Sequence, residues 1–527
     1  MTFLRQLPRF RPIAVSLGAV SLLASSAVAQ QAPLDQRIQR VIDRPEFAHA
    51  MWGIQLTSID SNRVIYALNE TKLFTPGSTT KLLTTGTAMG VLGADHRFTT
   101  RVYRKGTVSA GVLKGDLILV ASGDPNLSGR LKPDGTLAFE NVDHSYDADP
   151  NTRAVPGDPL LVLNELAQKV KRSGITRVSG SVIVDASMFR EGDRELGTGV
   201  VISPIIVNDN LVDVTIGPGA TSGGAASLKE SPATAYVRFV NKVVTVPAGT
   251  RPSIRWASDS LAPDGSRVVV ASGVFPKGSA PILYGYAVAE PSRFAEVTFA
   301  EALRAAGVTA KPRPYATKPT IARLRPSYVP GNMVAEHRSA PLGEEVRVTL
   351  KVSQNLHASA WPFILGALKG KDSTSTGFDV EREFLTRLGL DLSGAQQADG
   401  AGGDAHFSPA FMVSYLAAMA KRPDYPTFQR GLPVLGRDGT LWNIQTESPA
   451  VGHVFAKTGT FAVVDPLNRR VLVNGKGLAG YLTTAQGERC AFAIYVNNVS
   501  VSTAPDEVTR VVGQALGEIA AAMYEGR

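Results

Sequence analysis

The chain has 527 residues, far more than the roughly 100–200 of a typical domain, so two or three domains are expected. Its composition, 44% hydrophobic and 7% aromatic, is ordinary for a globular protein, and its one cysteine, Cys490, excludes an intramolecular disulfide. The net charge of +9 comes without a basic run interleaved with aromatics; this argues against nucleic acid and leaves a solvated basic surface or attraction to anionic cell-envelope polymers.

The first 29 residues have the pattern of a secretory leader. Three arginines flank the start of an apolar stretch from Ile13 to Leu23, and Ala27-Val28-Ala29 resembles the small-residue site at which leaders are cleaved. The alternative is an uncleaved membrane anchor, but the apolar stretch is shorter than the roughly 20 residues of a membrane span. We therefore expect cleavage, export and no transmembrane segment in the mature chain.

The mature chain opens with elements that lead to a serine. Apolar residues recur at helical spacing over 34–43, and alternation predicts strands at 52–56 and 64–67 joined by a turn. A loop then leads into a helix predicted from about Ser78 to Val91. Ser78 is thus expected at a helix start, where backbone N–H groups lack helical partners.

The rest of the chain is predicted to be strand-rich at first and then to return to helices. In chain order we predict a strand at 115–120, an exposed polar loop at 131–158, a helix at 160–172, a strand at 178–185, a loop at 217–224, a helix at 299–306, a proline-rich connector at 311–330, helices near 348–368 and 380–388, a strand carrying Lys457, a hairpin over 478–497 and an amphipathic helix at 505–524. The glycine-rich stretch 217–224 lacks the sequence of a phosphate-binding loop. Cys490, in an apolar strand, is expected to be a buried structural thiol.

Ser78-Thr79-Thr80-Lys81 places a hydroxyl and an amine three residues apart. On a helix, residues i and i+3 share one face with Cβ atoms about 5–6 Å apart, so the Lys81 amine can take the proton of Ser78 Oγ. A serine hydroxyl needs such a base, and a lysine serves only if burial or a nearby cation lowers its pKa. Taken alone, the pattern is common and is equally typical of a capped surface helix.

Ser353-Gln354-Asn355 is a second candidate motif. Ser353 and Asn355 are two residues apart and do not share a helix face, so they need a loop or a helix junction to reach one cleft. Ser353 would relay a proton, and Asn355 would hydrogen-bond a substrate amide. An isolated Ser-x-Asn is usually a turn. This one is a candidate only because it lies between the Ser78 and Lys457 motifs in the chain.

Lys457-Thr458-Gly459-Thr460 predicts an edge strand beside the cleft. Because Gly459 has no side chain, a substrate backbone could pair closely with this strand. The Thr460 N–H could join the Ser78 N–H in an oxyanion hole, and the hydroxyls of Thr458 and Thr460 could hold a terminal carboxylate. Lys457 would be the cation that lowers the pKa of the base, and the alternative is a surface strand with a lysine.

The separation of the motifs predicts a split catalytic domain. Lys81 and Ser353 are 272 positions apart, although the chemistry needs them in one pocket. We expect residues 30–95 and 326–527 to form the catalytic domain, and residues 96–325 to be inserted as one or two accessory domains.

The three motifs, in this order, are the mark of penicillin-binding proteins and class A β-lactamases. More specifically, the chain resembles the class C low-molecular-mass penicillin-binding proteins, the D-alanyl-D-alanine carboxypeptidase/endopeptidases of the penicillin-binding protein 4 type. Further stretches similar to that family lie at 115–117, 123–125, 180–185, 432–433, 436–441 and 478–481. The resemblance implies an α/β (α+β) penicillin-recognising fold, with an antiparallel sheet between helix clusters and a large, mostly β insertion.

The resemblance also implies a function. The expected enzyme is a serine DD-peptidase that cleaves peptidoglycan stem peptides or cross-links through an acyl-serine, is inhibited covalently by β-lactams and works in the periplasm; a Gram-positive exterior would fit the same leader. The implied catalytic residues are Ser78, Lys81, Ser353, Asn355 and Lys457, and the implied substrate-binding residues are Thr458, Gly459 and Thr460. No cofactor or metal is expected, because the histidines form no ligand pattern. His357 and His453, which flank motifs, are interpreted as packing or rim residues.

Three features depart from the family pattern. Gln354 stands where Asp is usual, Ala401 stands where Ser is expected in the Asp-Gly-Ser-Gly loop at 399–403, and the segment 467–476 is longer than usual. The last two bear on substrate preference rather than on the reaction class.

Two alternatives come from other classes of function. A class A β-lactamase deacylates through a glutamate, whose family pattern has Asn four residues later; no Glu in this chain has that neighbour, and the large insertion is also wrong for it. A non-catalytic envelope-binding protein on this fold has no need to keep all five predicted catalytic residues.

Overall fold

The computed structural model of the chain describes residues 32–146, 148–504 and 506–526. The predicted leader at 1–29 lies outside these residues. Among the helices described, none combines the length and the apolar character needed to cross a bilayer.

The helices are α1 (Leu34–Ile42), α2 (Lys81–Leu92), α3 (Leu161–Arg172), α4 (Pro291–Ala305), α5 (Ile321–Leu324), α6 (Leu342–Lys351), α7 (Asn355–Lys369), α8 (Gly377–Arg387), α9 (Pro409–Met419), α10 (Tyr425–Gly431) and α11 (Gln514–Glu525). The strands are β1 (Met51–Ser58), β2 (Val64–Leu68), β3 (Thr99–Ser109), β4 (Val112–Val120), β5 (Arg177–Val178), β6 (Val182–Asp185), β7 (Leu211–Gly217), β8 (Ser227–Ser231), β9 (Val237–Val246), β10 (Ser253–Leu261), β11 (Arg267–Pro276), β12 (Ile282–Ala287), β13 (Met333–Arg338), β14 (Ala395–Gln397), β15 (Ala405–Phe407), β16 (Val454–Asp465), β17 (Arg470–Thr483), β18 (Arg489–Asn497) and β19 (Val499–Val501). A 3-10 turn, Gly77–Thr80, leads into α2, and a π-helical turn, Val508–Gly513, leads into α11.

The central sheet is antiparallel and lies between two helix clusters. Its strand order is β16-β17-β18-β1-β2, with β19 paired to β17. Side chains alternate across the sheet: Phe492 and Ile494 pack with α1 and α11 on one face, while Ala493 and Tyr495 pack with α2 and α9 on the other. This two-sided burial explains why β18 is apolar almost throughout, and it confirms the predicted fold class.

Helix α2 is the central helix of the second cluster. Every residue from Lys81 to Met89 is buried, and the helix packs against α6, α7 and α8. Its small threonines, alanine and glycines allow these helices to approach closely; a Cβ at Gly90, for example, would overlap the ring of Phe384. The 3-10 turn Gly77–Thr80, called the nucleophile turn below because it carries the predicted nucleophile Ser78, is therefore fixed at the end of a helix enclosed by protein.

Strands β3 to β13 form three further sheets. β13-β3-β4-β5 with β6 make one sheet, β12-β7-β8 a second and β10-β11-β9 a third, with α3 and α4 packed into the same core. Strands outnumber helices in this part of the chain, as expected of the predicted insertion. Strand β13, which lies just past the expected boundary at 325, pairs with β3.

Three local predictions are wrong. The loop at 131–158 is not generally exposed, because Asp143, His144 and Ser145 are buried against residues far away in the chain. The helix predicted at 299–306 begins instead at Pro291, whose fixed φ suits a first helical turn. The proline-rich connector at 311–330 contains α5 with a buried leucine, and is therefore a packed element.

Candidate active site

The nucleophile turn lies directly against the third motif. Gly77 has φ +51°, and a Cβ there would come within 2.5 Å of the Thr460 nitrogen. A Cβ at Gly459 would overlap the carbonyl oxygen of Pro76. Two glycines thus allow the turn that carries Ser78 to touch strand β16. A glycine is therefore needed at 459 for this backbone contact as well as for the predicted pairing with substrate.

Lys81 brings the first two motifs together. Its Nζ lies 2.6 Å from Ser78 Oγ, 3.2 Å from Ser353 Oγ and 2.6 Å from Asn355 Oδ1. It also lies 3.4 Å from the carbonyl oxygen of Ala401, and the side chain is fully buried. The lysine is therefore in direct contact with the serine whose proton it would accept, as the three-residue spacing predicts.

Burial gives Lys81 the protonation behaviour of a base. Burial lowers its pKa to about 7, against the opposing charges of Glu195 and Asp399. Burial also holds the pKa of Lys457 well below its usual value, with repulsion from Lys81 and Lys476 acting in the same direction. Near neutral pH a substantial fraction of Lys81 is consequently unprotonated and able to accept a proton.

The Ser353 motif occupies the junction between α6 and α7. Ser353 has φ +61°, a left-handed conformation that costs a non-glycine residue about 1–2 kcal/mol. Tyr146 donates a 2.5 Å hydrogen bond to the Ser353 carbonyl. Gln354 caps α7 by accepting from the Leu356 N–H and donates through Nε2 to Asp143 at 3.0 Å. The loop predicted to be exposed thus holds this junction in place.

The departure at Gln354 has a physical reason in this contact. A glutamine has both an acceptor and a donor, whereas an ionised aspartate accepts only. Burial raises the pKa of the Asp143 carboxyl, but opposing interactions, the charge of Arg130 first among them, lower it by more, so that the pKa stays below its usual value. The amide of Gln354 can therefore approach Asp143, where a second carboxylate would be repelled.

A buried ionic cluster lies behind the junction. Arg130 Nη2 contacts Asp143 at 2.5 Å and Asp209 at 2.6 Å, and Asp209 also contacts His144 at 2.7 Å and His357 at 2.9 Å. These side chains are almost completely buried. His357 is therefore a member of an ionic network, which corrects its interpretation as a packing or rim residue.

The protonation of His357 follows from its neighbours. Burial lowers its pKa, but the charges of Glu345 and Asp209 outweigh burial and raise it to about 10. Asp143, His144 and Asp209 also have ligand atoms within 4.8 Å of one another, a spacing compatible with a metal. The Arg130 guanidinium, bonded to both carboxylates, already supplies the positive charge there.

The third motif lines the cleft from the edge of the sheet. Lys457 donates to the Thr458 carbonyl at 2.8 Å, and the hydroxyls of Thr458 and Thr440 lie 2.7 Å apart. Thr460 Oγ1 accepts a 2.6 Å hydrogen bond from Lys476, which lies opposite it on β17. Because β16 is an edge strand, its outer side can accept an extended peptide.

The loop at 399–403 closes on the nucleophile turn. Asp399 Oδ1 accepts from the N–H groups of Ala401 at 2.6 Å and Gly402 at 2.5 Å. Gly402 has φ +101°, and a Cβ there would overlap the carbonyl oxygen of Gly77. Asp399 thereby shapes the loop whose carbonyl contacts Lys81.

The long segment at 467–476 is part of a hairpin arm. β16 continues to Asp465 and β17 starts at Arg470, so the two strands stay paired beyond the cleft. Phe461 and Ala462, at the base of the arm, line the cleft, while Leu467 at its tip is 89% exposed.

One cleft of about 670 Å³ gathers the motifs. It is lined by residues of all three motifs, namely Ser78, Ser353, Asn355, Thr458 and Thr460, and also by Tyr146, Asp149 and Lys476. Lys81, Lys457 and Gly459 lie beneath this surface and contact the lining residues. The structure thus brings all eight predicted residues to one place.

Tyr146, Asp143 and Lys476 belong to none of the three motifs, although the structure places them at the site. Lys476 could have been found by extending the predicted hairpin pairing, because it lies directly opposite Thr460. Tyr146 and Asp143 left no local signal, since their partners are more than 200 positions away.

This fold is that of the penicillin-recognising serine enzymes. The chain belongs to the D-Ala-D-Ala carboxypeptidase 3 (S13) family, whose model matches residues 34–516. The predicted family is thus confirmed, and with it the class of serine-type D-Ala-D-Ala peptidases; the β-lactamase alternative is not favoured.

Individual relatives cover nearly the whole chain. It is 27% identical to a D-alanyl-D-alanine carboxypeptidase of an Actinomadura species, over 96% of this chain and 88% of the relative. It is 24% identical to the D-alanyl-D-alanine carboxypeptidase DacB of Haemophilus influenzae, over 87% of this chain and 88% of the relative. The crystal structure of penicillin-binding protein 4 from Haemophilus influenzae has a TM-score of 0.68 and 20% identity, covering 94% of this chain and 100% of that one.

Proposed function

We propose that the protein hydrolyses the bond after a D-alanine in peptidoglycan stem peptides, through an acyl-Ser78 intermediate. The observation that carries this proposal is the set of contacts of Lys81 with Ser78, Ser353 and Asn355. The reaction would be that of a D-Ala-D-Ala carboxypeptidase, a DD-endopeptidase or both, since each cuts after a D-alanine.

In the acylation step, the unprotonated Lys81 amine takes the proton of Ser78 Oγ as this oxygen attacks the D-alanyl carbonyl carbon. The negative charge that forms on the carbonyl oxygen is bound by the N–H groups of Ser78 and Thr460. Ser353, 3.2 Å from Lys81 Nζ, relays the proton to the leaving nitrogen. The C–N bond then breaks, and the amine departs while the acyl group stays on Ser78.

Deacylation repeats these steps with water. Lys81 takes a proton from water, the hydroxide oxygen attacks the acyl carbonyl, and the Ser78–acyl bond breaks. Ser78 Oγ recovers its proton from the lysine, and the shortened peptide leaves with a free carboxylate. Asn355 would hold the substrate amide throughout, and β16 would pair with the peptide backbone.

β-lactams would acylate the same serine. A second structure of the Haemophilus influenzae protein, with a TM-score of 0.67 and 20% identity, is described as complexed with a β-lactam. We further propose that the leader at 1–29 directs export and that the periplasm is the site of action.

We also propose that residues 30–95 and 326–527 form one catalytic domain around the inserted residues 96–325. The central sheet supports this division, because β1 and β2 come from the first part and β16 to β19 from the second.

D-alanine release tests the proposed reaction. Purified mature protein incubated with a stem pentapeptide ending in D-Ala-D-Ala should release D-alanine, and Ser78→Ala should release none. Residual activity in Ser78→Ala equal to that of the wild type would contradict the proposal.

A further inference from the structure

Lys476 is a buried cation that has no carboxylate partner among the described residues. Its side chain makes a 2.6 Å hydrogen bond to the hydroxyl of Thr460, and the residue is only 8% exposed. No ion pair involves it within 32–146, 148–504 and 506–526. Its pKa is lowered by burial to about 8, so the ammonium form predominates at neutral pH.

Two other buried cations of this protein, Arg130 and Lys351, have carboxylate counter-ions, whereas burial holds the pKa of Lys457 well below its usual value. Arg130 is bonded to Asp143 and Asp209, and Lys351 lies 2.7 Å from Asp438. An unpaired buried charge costs free energy because water no longer solvates it. The absence of an acid beside Lys476 in the described part of the chain therefore suggests that its counter-ion comes from a ligand.

The position of Lys476 indicates which ligand. It lines the same cleft as Ser78 and Thr460, and it lies directly across from Thr460 in the β16–β17 pairing. Lys457, by contrast, lies beneath the cleft surface and donates to a main-chain carbonyl. Lys476 is thus an additional ammonium on the substrate side of the third motif.

The contact with Thr460 also orients the hydroxyl. Because Thr460 Oγ1 accepts from Lys476, its own hydrogen is free to point elsewhere, including into the cleft. A carboxylate placed there would accept one bond from the ammonium and one from the hydroxyl, and charge-assisted bonds of this kind are roughly twice as strong as neutral ones.

We propose that Lys476, together with the hydroxyl of Thr460, binds the free carboxylate of the leaving D-amino acid and so selects peptides in which that carboxylate is unblocked. This inference rests on the proposed function and assigns a specificity residue to it. No bond to Lys476 forms or breaks during the reaction; the residue binds and orients the substrate.

A pair of substrates isolates this contact. One is an acylated peptide ending in D-Ala-D-Ala with a free carboxylate, and the other is the same peptide with a C-terminal amide. The wild type should prefer the free acid in kcat/KM. Lys476→Met should lower kcat/KM for the acid by about 10- to 100-fold, the range of a hydrogen bond to a charged group, and leave the amide unchanged. Lys476→Arg should restore part of the preference.

Exposed Lys421→Met is the matched control and should behave as the wild type. An equal loss on both substrates would indicate a structural role and overturn the inference, as would no loss on either. If Lys476→Met does not fold, the inference is tested by the preference for the acid over the amide in the wild type and in Lys476→Arg. A wild type that cleaves the amide as well as the acid contradicts the inference. A wild type inactive on both substrates instead refutes the proposed function.

Discussion

Lys81 lies among charges of both signs, and its usefulness as a base depends on their balance. Burial lowers its pKa, while Glu195 and Asp399 raise it. A protonated amine cannot accept the Ser78 proton, so acylation should be lost as the pH falls below about 7 and should rise through that pH.

Removing one of these negative charges should move the pH profile in a defined direction. Glu195→Gln keeps a hydrogen-bond acceptor for the turn at 197–198 but removes the charge that favours protonated Lys81. The acid limb of the acylation rate should therefore shift to lower pH, as measured with a chromogenic β-lactam. Asp193→Asn, an exposed change two residues away, is the control. A shift to higher pH, or none, would contradict this electrostatic account.

The ionic cluster at Arg130 is expected to contribute strongly to stability. Removing one partner of a buried ion pair leaves an uncompensated charge, at a cost of about 3–5 kcal/mol. Arg130→Met leaves Asp143 and Asp209 without their guanidinium, so the free energy of unfolding in urea should fall by that amount. Arg387→Met, which breaks the exposed helical pair with Glu383, should cost about 0.5 kcal/mol or less. Equal effects of the two changes would mean that the cluster is not a stabilising network.

Among the elements, strand β16 and the nucleophile turn depend on each other through two glycines. Gly459→Ala would push the strand away from Pro76, because the added Cβ would overlap its carbonyl oxygen. A misplacement of about 1 Å can cost 10²-fold in rate. We expect β-lactam acylation to slow at least tenfold while circular dichroism stays unchanged.

Gly331→Ala, where an added Cβ meets nothing within 4 Å, is the matched control for this change. Acylation by Gly459→Ala at the wild-type rate would show that the contact between turn and strand does not position Ser78.

The predictability of each element followed the range of the interactions that form it. The helix after Ser78, the hairpin at 52–67 and the C-terminal hairpin arise from local periodicity and turn residues, so the sequence was sufficient to predict them. The loop at 131–158 looked solvated because its Asp and Pro residues are typical of surfaces. Its burial depends on the contacts of Asp143 with Gln354 and of His144 with Asp209, which lie far away in the chain, and no local pattern reports such pairing.

Site residues that belong to one short motif could be predicted, because their spacing in the sequence sets their distance. Site residues that tertiary contacts bring in could not be predicted. Lys81 reaches Ser78 because both lie on one helical turn, which a sequence displays directly. Lys476 reaches Thr460 through strand register, and Tyr146 reaches Ser353 through the packing of an entire loop. The periodicity that predicted helices near 348–368 did not locate the junction at Ser353, whose left-handed φ is accompanied by these distant contacts.

At the scale of the whole molecule, the inserted residues are structurally joined to the site. Arg130 and Asp209 lie within the proposed insertion at 96–325, whereas His357 and Gln354 lie within the proposed second catalytic part, and the cluster links them. Replacing residues 96–325 by a short linker should therefore abolish both soluble expression and penicillin binding. A soluble deletion variant that still binds penicillin would show that the insertion is a detachable accessory.

The most consequential expectation is that penicillin acylates Ser78 and that this penicilloyl-serine is hydrolysed slowly. The most direct measurement is labelling of the mature wild type and of Ser78→Ala with a fluorescent penicillin, followed by a denaturing gel and a time chase. We predict a band that persists in the wild type and is missing in Ser78→Ala. A wild-type band that never forms would contradict acyl-serine chemistry and favour a binding protein, and one that fades quickly while the antibiotic is destroyed would identify a β-lactamase instead.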